Sequence, residues 1–482
     1  MLFNSFGFLY FFPTVVLLYF IFPKKLRWVW LLIISYYFYM SWNPTYAILI
    51  FISTLITYLS GILIENAKKD KKKIYVGLSF ILNLAILIGF KYANFMIENV
   101  AWVTEIIGLK WKKPALNILL PVGISFYTFQ ALSYTMDVYR GTITATRNFG
   151  KYALFVSFFP QLVAGPIEKA AHLLPQFDSV KKFDYHRIKD GLIMMALGFF
   201  KKMVIADRLA ILVNTVYNNP TEYAGFEIVI ATIFFAFQIL CDFSGYTDIA
   251  IGAAKILGFD LMKNFDRPYF STSIPEFWRR WHISLGAWFR DYLYFPLGGN
   301  RVSTIKKYRN ILIVFVTSGL WHGASWNFLI WGFLHGVYYV LDIALTPIVQ
   351  GLNVRVRELY KRIFQLLLTF TLVCFAWIFF RANSLSDALY LIKNIFVFNP
   401  EVVLKNGMYE MGLDRREFKV ALIAIAALLS FDFIEGKLSF YNLLRKQHII
   451  FRWLFYVILI LVILIFGVYG GNEKAPFIYF QF

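Results

Sequence analysis

The chain's 482 residues are 59% hydrophobic and only 16% charged, with a mean hydropathy of +0.61, whereas soluble proteins carry roughly 45–50% apolar and about 25% charged residues. That balance excludes a string of soluble domains and leaves one polytopic membrane domain. The net charge of +20, confined to short basic clusters between apolar runs, reads as a membrane-topology signal and not as a nucleic-acid footprint.

A spanning helix needs about 20 apolar residues. Candidate spans are 7–22, 27–41, 46–64, 74–97, 117–136, 191–213, 226–256, 311–345, 363–380, 419–434 and 452–469, which predicts about 9–12 transmembrane helices. The first twenty residues lack a basic leader and a small-residue cleavage site, so 7–22 is read as a retained span. The 53 Phe, 30 Tyr and 13 Trp suit lipid-facing and interfacial surfaces.

Basic loops orient the chain. Lys24, Lys25 and Arg27 follow the first span, and Lys68, Lys69, Lys71, Lys72 and Lys73 follow the third, while the link at Trp42-Asn-Pro has no cation. Placing both basic loops in the cytoplasm puts the N-terminus outside. Lys110, Lys112 and Lys113 fall on the opposite side in that scheme. Lys181, Lys182, Arg187 and Lys189, and later Lys306, Lys307 and Arg309, form further cytoplasmic candidates.

Phe158-Phe-Pro160-Gln-Leu-Val-Ala-Gly165-Pro166 is apolar yet carries two prolines and a glycine. Proline breaks helical hydrogen bonding, and irregular backbone at membrane depth survives only inside protein or beside water. A re-entrant segment is expected; a surface loop between short spans is the alternative. Cys241-Asp242-Phe-Ser244-Gly-Tyr-Thr-Asp248 sets acids in an apolar run, with Ser244 and Asp248 on one helical face. No metal-ligand spacing accompanies them, and Cys241 and Cys374 form no disulfide framework. A polar cluster bracing a site is expected here.

Phe277-Trp-Arg279-Arg280-Trp-His282 mixes Trp and Arg as an interfacial helix does. Its arginines fit snorkelling equally with a basic lip that grips phosphates of a donor. The stretch 311–345 exceeds one span, and Gly319, Gly323 and Gly332 allow it to break, tilt or pack closely. It contains His322 and His335. An ionisable group in an apolar, membrane-length run is a functional candidate by default, and histidine is the usual proton-transfer residue. On one continuous helix His335 lies about 20 Å from His322 and about 220° around the axis, so His335 is read as a packing residue. No G-x-S-x-G, phosphate-binding loop or dinucleotide fingerprint appears in a fitting context, which leaves nucleotide hydrolysis and redox chemistry without support.

Together these segments resemble the membrane-bound O-acyltransferase (MBOAT) family, in its bacterial alginate O-acetyltransferase-like branch. The resemblance runs from about 117 to 382. It rests on Pro121-Val-Gly-Ile-Ser-Phe-Tyr-Thr-Phe-Gln130, Pro160-Gln-Leu-Val-Ala-Gly-Pro166, Asp242-Phe-Ser-Gly-Tyr-Thr-Asp248 and Phe277-Trp-Arg-Arg-Trp-His282. It continues through Arg290-Asp-Tyr-Leu-Tyr, Pro296-Leu-Gly-Gly-Asn-Arg301, Trp321-His322-Gly323 and Phe379-Phe-Arg381-Ala. Residues 1–100 resemble the family mainly in hydropathy.

The resemblance implies an all-α fold of many membrane helices and re-entrant segments around a central tunnel. It implies one membrane domain over 1–482, with N-terminal spans in 1–100, a catalytic core in 117–382 and C-terminal spans in 415–482. Family members move an acyl group from a thioester to a hydroxyl or amine. The family's catalytic histidine maps to His322 and its second polar site residue to His282. Arg279, Arg280, Asp248, Ser244 and Trp321 are candidates for donor or substrate binding, with no metal. The expected donor is an acyl thioester, acetyl-CoA or an acyl carrier, with no tightly bound cofactor. Pro296-Leu-Gly-Gly-Asn-Arg301 and the spans after 415 favour acetyl transfer to an exported polysaccharide over D-alanyl transfer to teichoic acid. A separate extracytoplasmic acetyltransferase or acceptor protein is the expected partner, and the plasma membrane the expected location. The rival class is a transporter or channel, which internal repeats would support and none are found; a scaffold for a cell-surface synthase is a third.

Overall fold

A computed structural model describes residues 1–109, 111, 114, 120–163, 165–351, 357–404, 407–469 and 478. Lys110, Lys112 and Lys113, the start of the predicted 117–136 span, and Ala164 of the proline-rich segment lie outside them. Among the described residues every regular element is helical. The protein is an all-α polytopic membrane protein.

Among the described residues six helices are long and apolar enough to cross a bilayer: Tyr46–Asn66, Lys69–Ile106, Phe226–Leu257, Trp326–Ile348, Glu358–Arg381 and Ile449–Phe466. Several other predicted spans form shorter helices, Phe6–Ile21, Arg27–Met40 and Ile124–Arg140. The span predicted at 191–213 is a composite, in which a π-helical segment, Phe200–Ala206, joins Tyr185–Phe199 to Asp207–Asn218.

The chain divides into two compact units. The first comprises Met1–Gly191, Ala253–Met262 and Gly323–Ser325. Its helices meet through small polar groups. Ser53 donates to Asn83 at 2.6 Å, Tyr152 to Thr57 at 2.7 Å, and the Ser79 and Thr135 hydroxyls lie 3.2 Å apart. Such bonds hold helices together where lipid supplies no hydrophobic drive. The proline-rich segment forms a four-residue helix, Phe159–Leu162, with Pro160 in its first turn. Phe158, Phe159, Pro160 and Gln161 are all buried, and the Phe159 amide donates to Ser35. Burial of this kind excludes the surface-loop alternative.

The second unit comprises Leu192–Gly252, Lys263–His322 and Trp326–Phe482. The stretch read as one apolar run over 311–345 is a hairpin. Thr304–His322 ends at His322, the chain turns, and Trp326–Gly351 runs back beside it. Gly319 and Gly332 make the close approach possible: a Cβ on Gly319 would sit 2.2 Å from the Phe328 carbonyl, and one on Gly332 2.3 Å from that of Phe315. The estimate of about 20 Å between His322 and His335 is therefore corrected. Trp331 lies between them, its ring 4.9 Å from His322 and 5.0 Å from His335, so the two imidazoles flank one indole.

Candidate active site

Both histidines of interest sit at helix ends. The Ile274–Arg280 helix starts with Ser273 accepting from the Glu276 amide and stops at Trp281. His282 then takes a left-handed conformation, φ +44°, and opens the Ile283–Phe289 helix. A non-glycine residue with positive φ is uncommon and concentrates at functional sites. Here it turns the His282 ring inward, to 1% exposure.

Asn264 fixes that ring. Its Oδ1 accepts from the Ser284 amide at 3.2 Å and the Ser284 hydroxyl at 2.9 Å, and it lies 3.1 Å from His282 Nδ1. A backbone amide only donates, so the atom facing it is the amide oxygen. His282 Nδ1 must then donate as well, which leaves the lone pair of the neutral imidazole on Nε2. The Asn264 carbonyl also accepts from the Ile283 amide at 2.9 Å, so one residue fixes backbone and tautomer together.

His322 is the last residue of its helix and is 2% exposed. Its ring centroid is 6.5 Å from that of His282. Trp321, Trp331 and Phe380 surround it, with centroids at 5.0, 4.9 and 5.4 Å. Trp321 also meets His282 edge-on at 5.9 Å, and Phe243 closes the other side at 4.8 Å. The result is a pair of imidazoles in an aromatic box, where water is scarce and electrostatic effects are strong. His335 is fully buried, accepts from the Trp278 indole at 3.3 Å and stacks on Phe277.

A cavity of about 520 Å³ opens beside His282. Arg279, Arg290 and Lys307 stand on its wall together with Trp278, Ser318 and Tyr339. Arg290 is paired with Asp291 at 2.9 Å. Neither Arg279 nor Lys307 has an ion-pair partner among the described residues. Arg280 turns elsewhere, to Glu276 at 2.6 Å. Of the two adjacent arginines, only Arg279 faces the cavity. His322 is not part of its wall; His282 is.

Ser244 and Asp248 do share a face, but it lines a different, smaller pocket, where Asp248 meets Lys201 at 2.7 Å. Asp242, on the same helix, is braced in the interior. Lys202 bridges it to Asp207 at 2.6 and 2.7 Å, and its second oxygen accepts from the Ile478 amide. Asp242 is thus held by Lys202, apart from the pocket that Ser244 and Asp248 line. The sequence names neither Asn264 nor Lys307 as a site residue. Asn264 lies outside any periodic run, and Lys307 reads from sequence as one more loop cation.

Comparison with known proteins follows the same lines. A profile described as MBOAT, membrane-bound O-acyltransferase family, matches residues 144–385. The probable alginate O-acetylase AlgI of Pseudomonas aeruginosa is 40% identical over 83% of this chain and 75% of its own length. That of Pseudomonas putida is 35% identical over the whole of both chains. The peptidoglycan O-acetyltransferase of Helicobacter pylori is 35% identical over 79% of this chain and 75% of its own.

Proposed function

The chain belongs to the membrane-bound O-acyltransferase family, and on that footing we propose that it passes an acetyl group from a thioester donor across the membrane for O-acetylation of a cell-surface or exported polysaccharide. The observation that carries this reading is the buried pair His282 and His322, with centroids 6.5 Å apart inside an aromatic box. Relatives act, by their names, on alginate and on peptidoglycan, both of which offer sugar hydroxyls.

His322 serves as general base toward the attacking hydroxyl. The new O–C bond forms as the C–S bond breaks, and the proton taken by His322 passes to the departing thiolate. His282, its Nδ1 proton held by Asn264, presents the Nε2 lone pair as a hydrogen-bond acceptor that orients the incoming hydroxyl or the His322 imidazolium. Acyl thioesters of the coenzyme A type carry phosphates, and Arg279, Arg290 and Lys307 supply the cations to hold them. Trp321 closes the box over both rings. In this scheme 117–382 is the catalytic core of one membrane domain, and all these residues fall inside it.

The donor, acetyl-CoA or an acetylated carrier, arrives from the cytoplasm of a plasma-membrane protein whose N-terminus is outside and whose 66–73 loop is inside. A separate extracytoplasmic acetyltransferase receives the acetyl group. The test is the full chain in sealed vesicles with labelled acetyl thioester on one side only. Label should appear on an acceptor on the other side when the partner enzyme and a glycan are present there. Thioester hydrolysis without any labelled acceptor, across a range of glycans, would remove the reading.

A further inference from the structure

Two segments far apart in sequence meet at the end of the helix Phe6–Ile21, within the first unit. One carries Lys24, Lys25 and Arg27, the other Lys181, Lys182 and Arg187. Arg27 ties them together. Its Nη1 donates to the Lys181 carbonyl at 2.6 Å, while Nε and Nη2 donate to the Phe22 and Phe20 carbonyls at 3.2 and 2.9 Å. Between the segments lies a shallow cleft of about 20 Å³, with Lys24, Arg27, Trp28, Ser179, Lys181 and Phe259 on its wall. That volume admits the tip of a ligand, about one oxygen atom, and leaves the rest outside.

The positive charge of this corner is not answered by contact. Among the described residues no carboxylate comes within ion-pair distance of Lys24, Arg27, Lys181 or Arg187. Carbonyls satisfy the Arg27 N–H groups without cancelling its charge. Lys181 lies over the Phe259 ring at 5.4 Å, and Asp260 acts on it only from beyond ion-pair range. Asp184 accepts from the Arg187 amide. Ile21, Leu26, Val180 and Phe183, beside these cations in the chain, are exposed apolar side chains. Cations in an apolar collar, at the end of an apolar helix, match the headgroup layer of an anionic bilayer.

We propose that this cleft binds the phosphate of an anionic membrane lipid of the phosphatidylglycerol type, with Lys24 and Lys181 on the phosphate and the acyl tails along the apolar collar. A phosphodiester oxygen fits the cleft, and lysine ammonium groups hold it by charge-assisted hydrogen bonds. The collar favours a lipid over free phosphate, which gains nothing from apolar surface. A choline lipid has the same phosphate, but its quaternary ammonium adds positive charge where cations already crowd. The site belongs to the first unit and does not rest on the acyl-transfer reading.

The test uses the full chain purified in mild detergent and exchanged into micelles doped with phosphatidylglycerol or with phosphatidylcholine of identical tails. Retained lipid is measured by native mass spectrometry. Wild type should keep one phosphatidylglycerol, preferred about tenfold or more over the choline lipid, as a few cations at an anionic headgroup allow. Lys24→Gln with Lys181→Gln should lose that preference with an unchanged thermal midpoint. Lys71→Gln with Lys72→Gln, in a different basic loop, should keep it, which separates a folded site from general attraction to basic loops. A large excess of inorganic phosphate should leave the bound lipid in place. Equal retention of the two lipids by wild type overturns the site. So does a preference that survives the Lys24 and Lys181 changes, or falls equally with those at Lys71 and Lys72. Displacement by inorganic phosphate overturns the assignment to a lipid.

Discussion

Lys202 and His282 are each 1% exposed in the same unit, yet they are held in opposite ways. Lys202 has two carboxylates within 2.7 Å, and one of these carboxylates also caps a backbone amide. Everything the ammonium needs comes from groups fixed on neighbouring helices. His282 is oriented from Nδ1 by Asn264 and packs among aromatic rings, edge-on to Phe243, Trp321 and His322 and stacked on Phe265. A reciprocated buried charge braces a fold and is costly to break. In the proposed function an imidazole oriented through Nδ1 presents Nε2 to the acyl-transfer site. Burial alone thus says little about function, and the partner set separates brace from site.

Substitutions can break that contrast or sharpen it. His322→Ala should lower acyl transfer by about 10²–10⁴-fold, the usual worth of one general base, with normal protein yield. Activity close to wild type would return His322 to a packing role. Lys202→Met should do the reverse, because it strands Asp207 and Asp242. The expected loss is about 3–5 kcal/mol of stability, seen as a fall in folded yield and thermal midpoint, with turnover per folded molecule little changed. Asn264→Ala should cost roughly tenfold in kcat, the worth of one orienting hydrogen bond. Asn264→Asp should restore much of that rate and move the acid limb of the pH–rate profile upward, because a carboxylate beside Nδ1 favours the imidazolium. A residue that merely supported the backbone would leave the profile in place. The smallest effect is expected at the cavity wall. Arg279→Ala should raise the donor KM more than it lowers kcat, whereas Arg280→Ala should act through its lost Glu276 pair and appear as reduced yield.

Much of this was legible in the sequence, for reasons that are local. Composition and run length give the all-α membrane class because the bilayer imposes both. His322 stands out because an imidazole in an apolar run is conspicuous, and Gly319, Gly323 and Gly332 signalled that the long stretch could break. Where the break falls depends on tertiary packing, the fit of Gly319 against the Phe328 carbonyl, so the spacing of His322 and His335 was beyond helical arithmetic. The division of Arg279 from Arg280 is a matter of which way two neighbouring side chains turn. Asn264 carries no pattern at all: its role arises because residues 264, 282 and 284 converge across a loop. Ser244 and Asp248 were rightly placed on one face, but what that face meets, Lys201 and Asp432, lies far off in sequence.

The most direct test is a double-mutant cycle on the two histidines, with steady-state rates for His282→Ala, His322→Ala and the double variant in reconstituted vesicles. If the two rings work as one unit, the double variant should be little slower than His322→Ala alone, because groups acting together are not additive. Independent, multiplying defects would contradict the shared site.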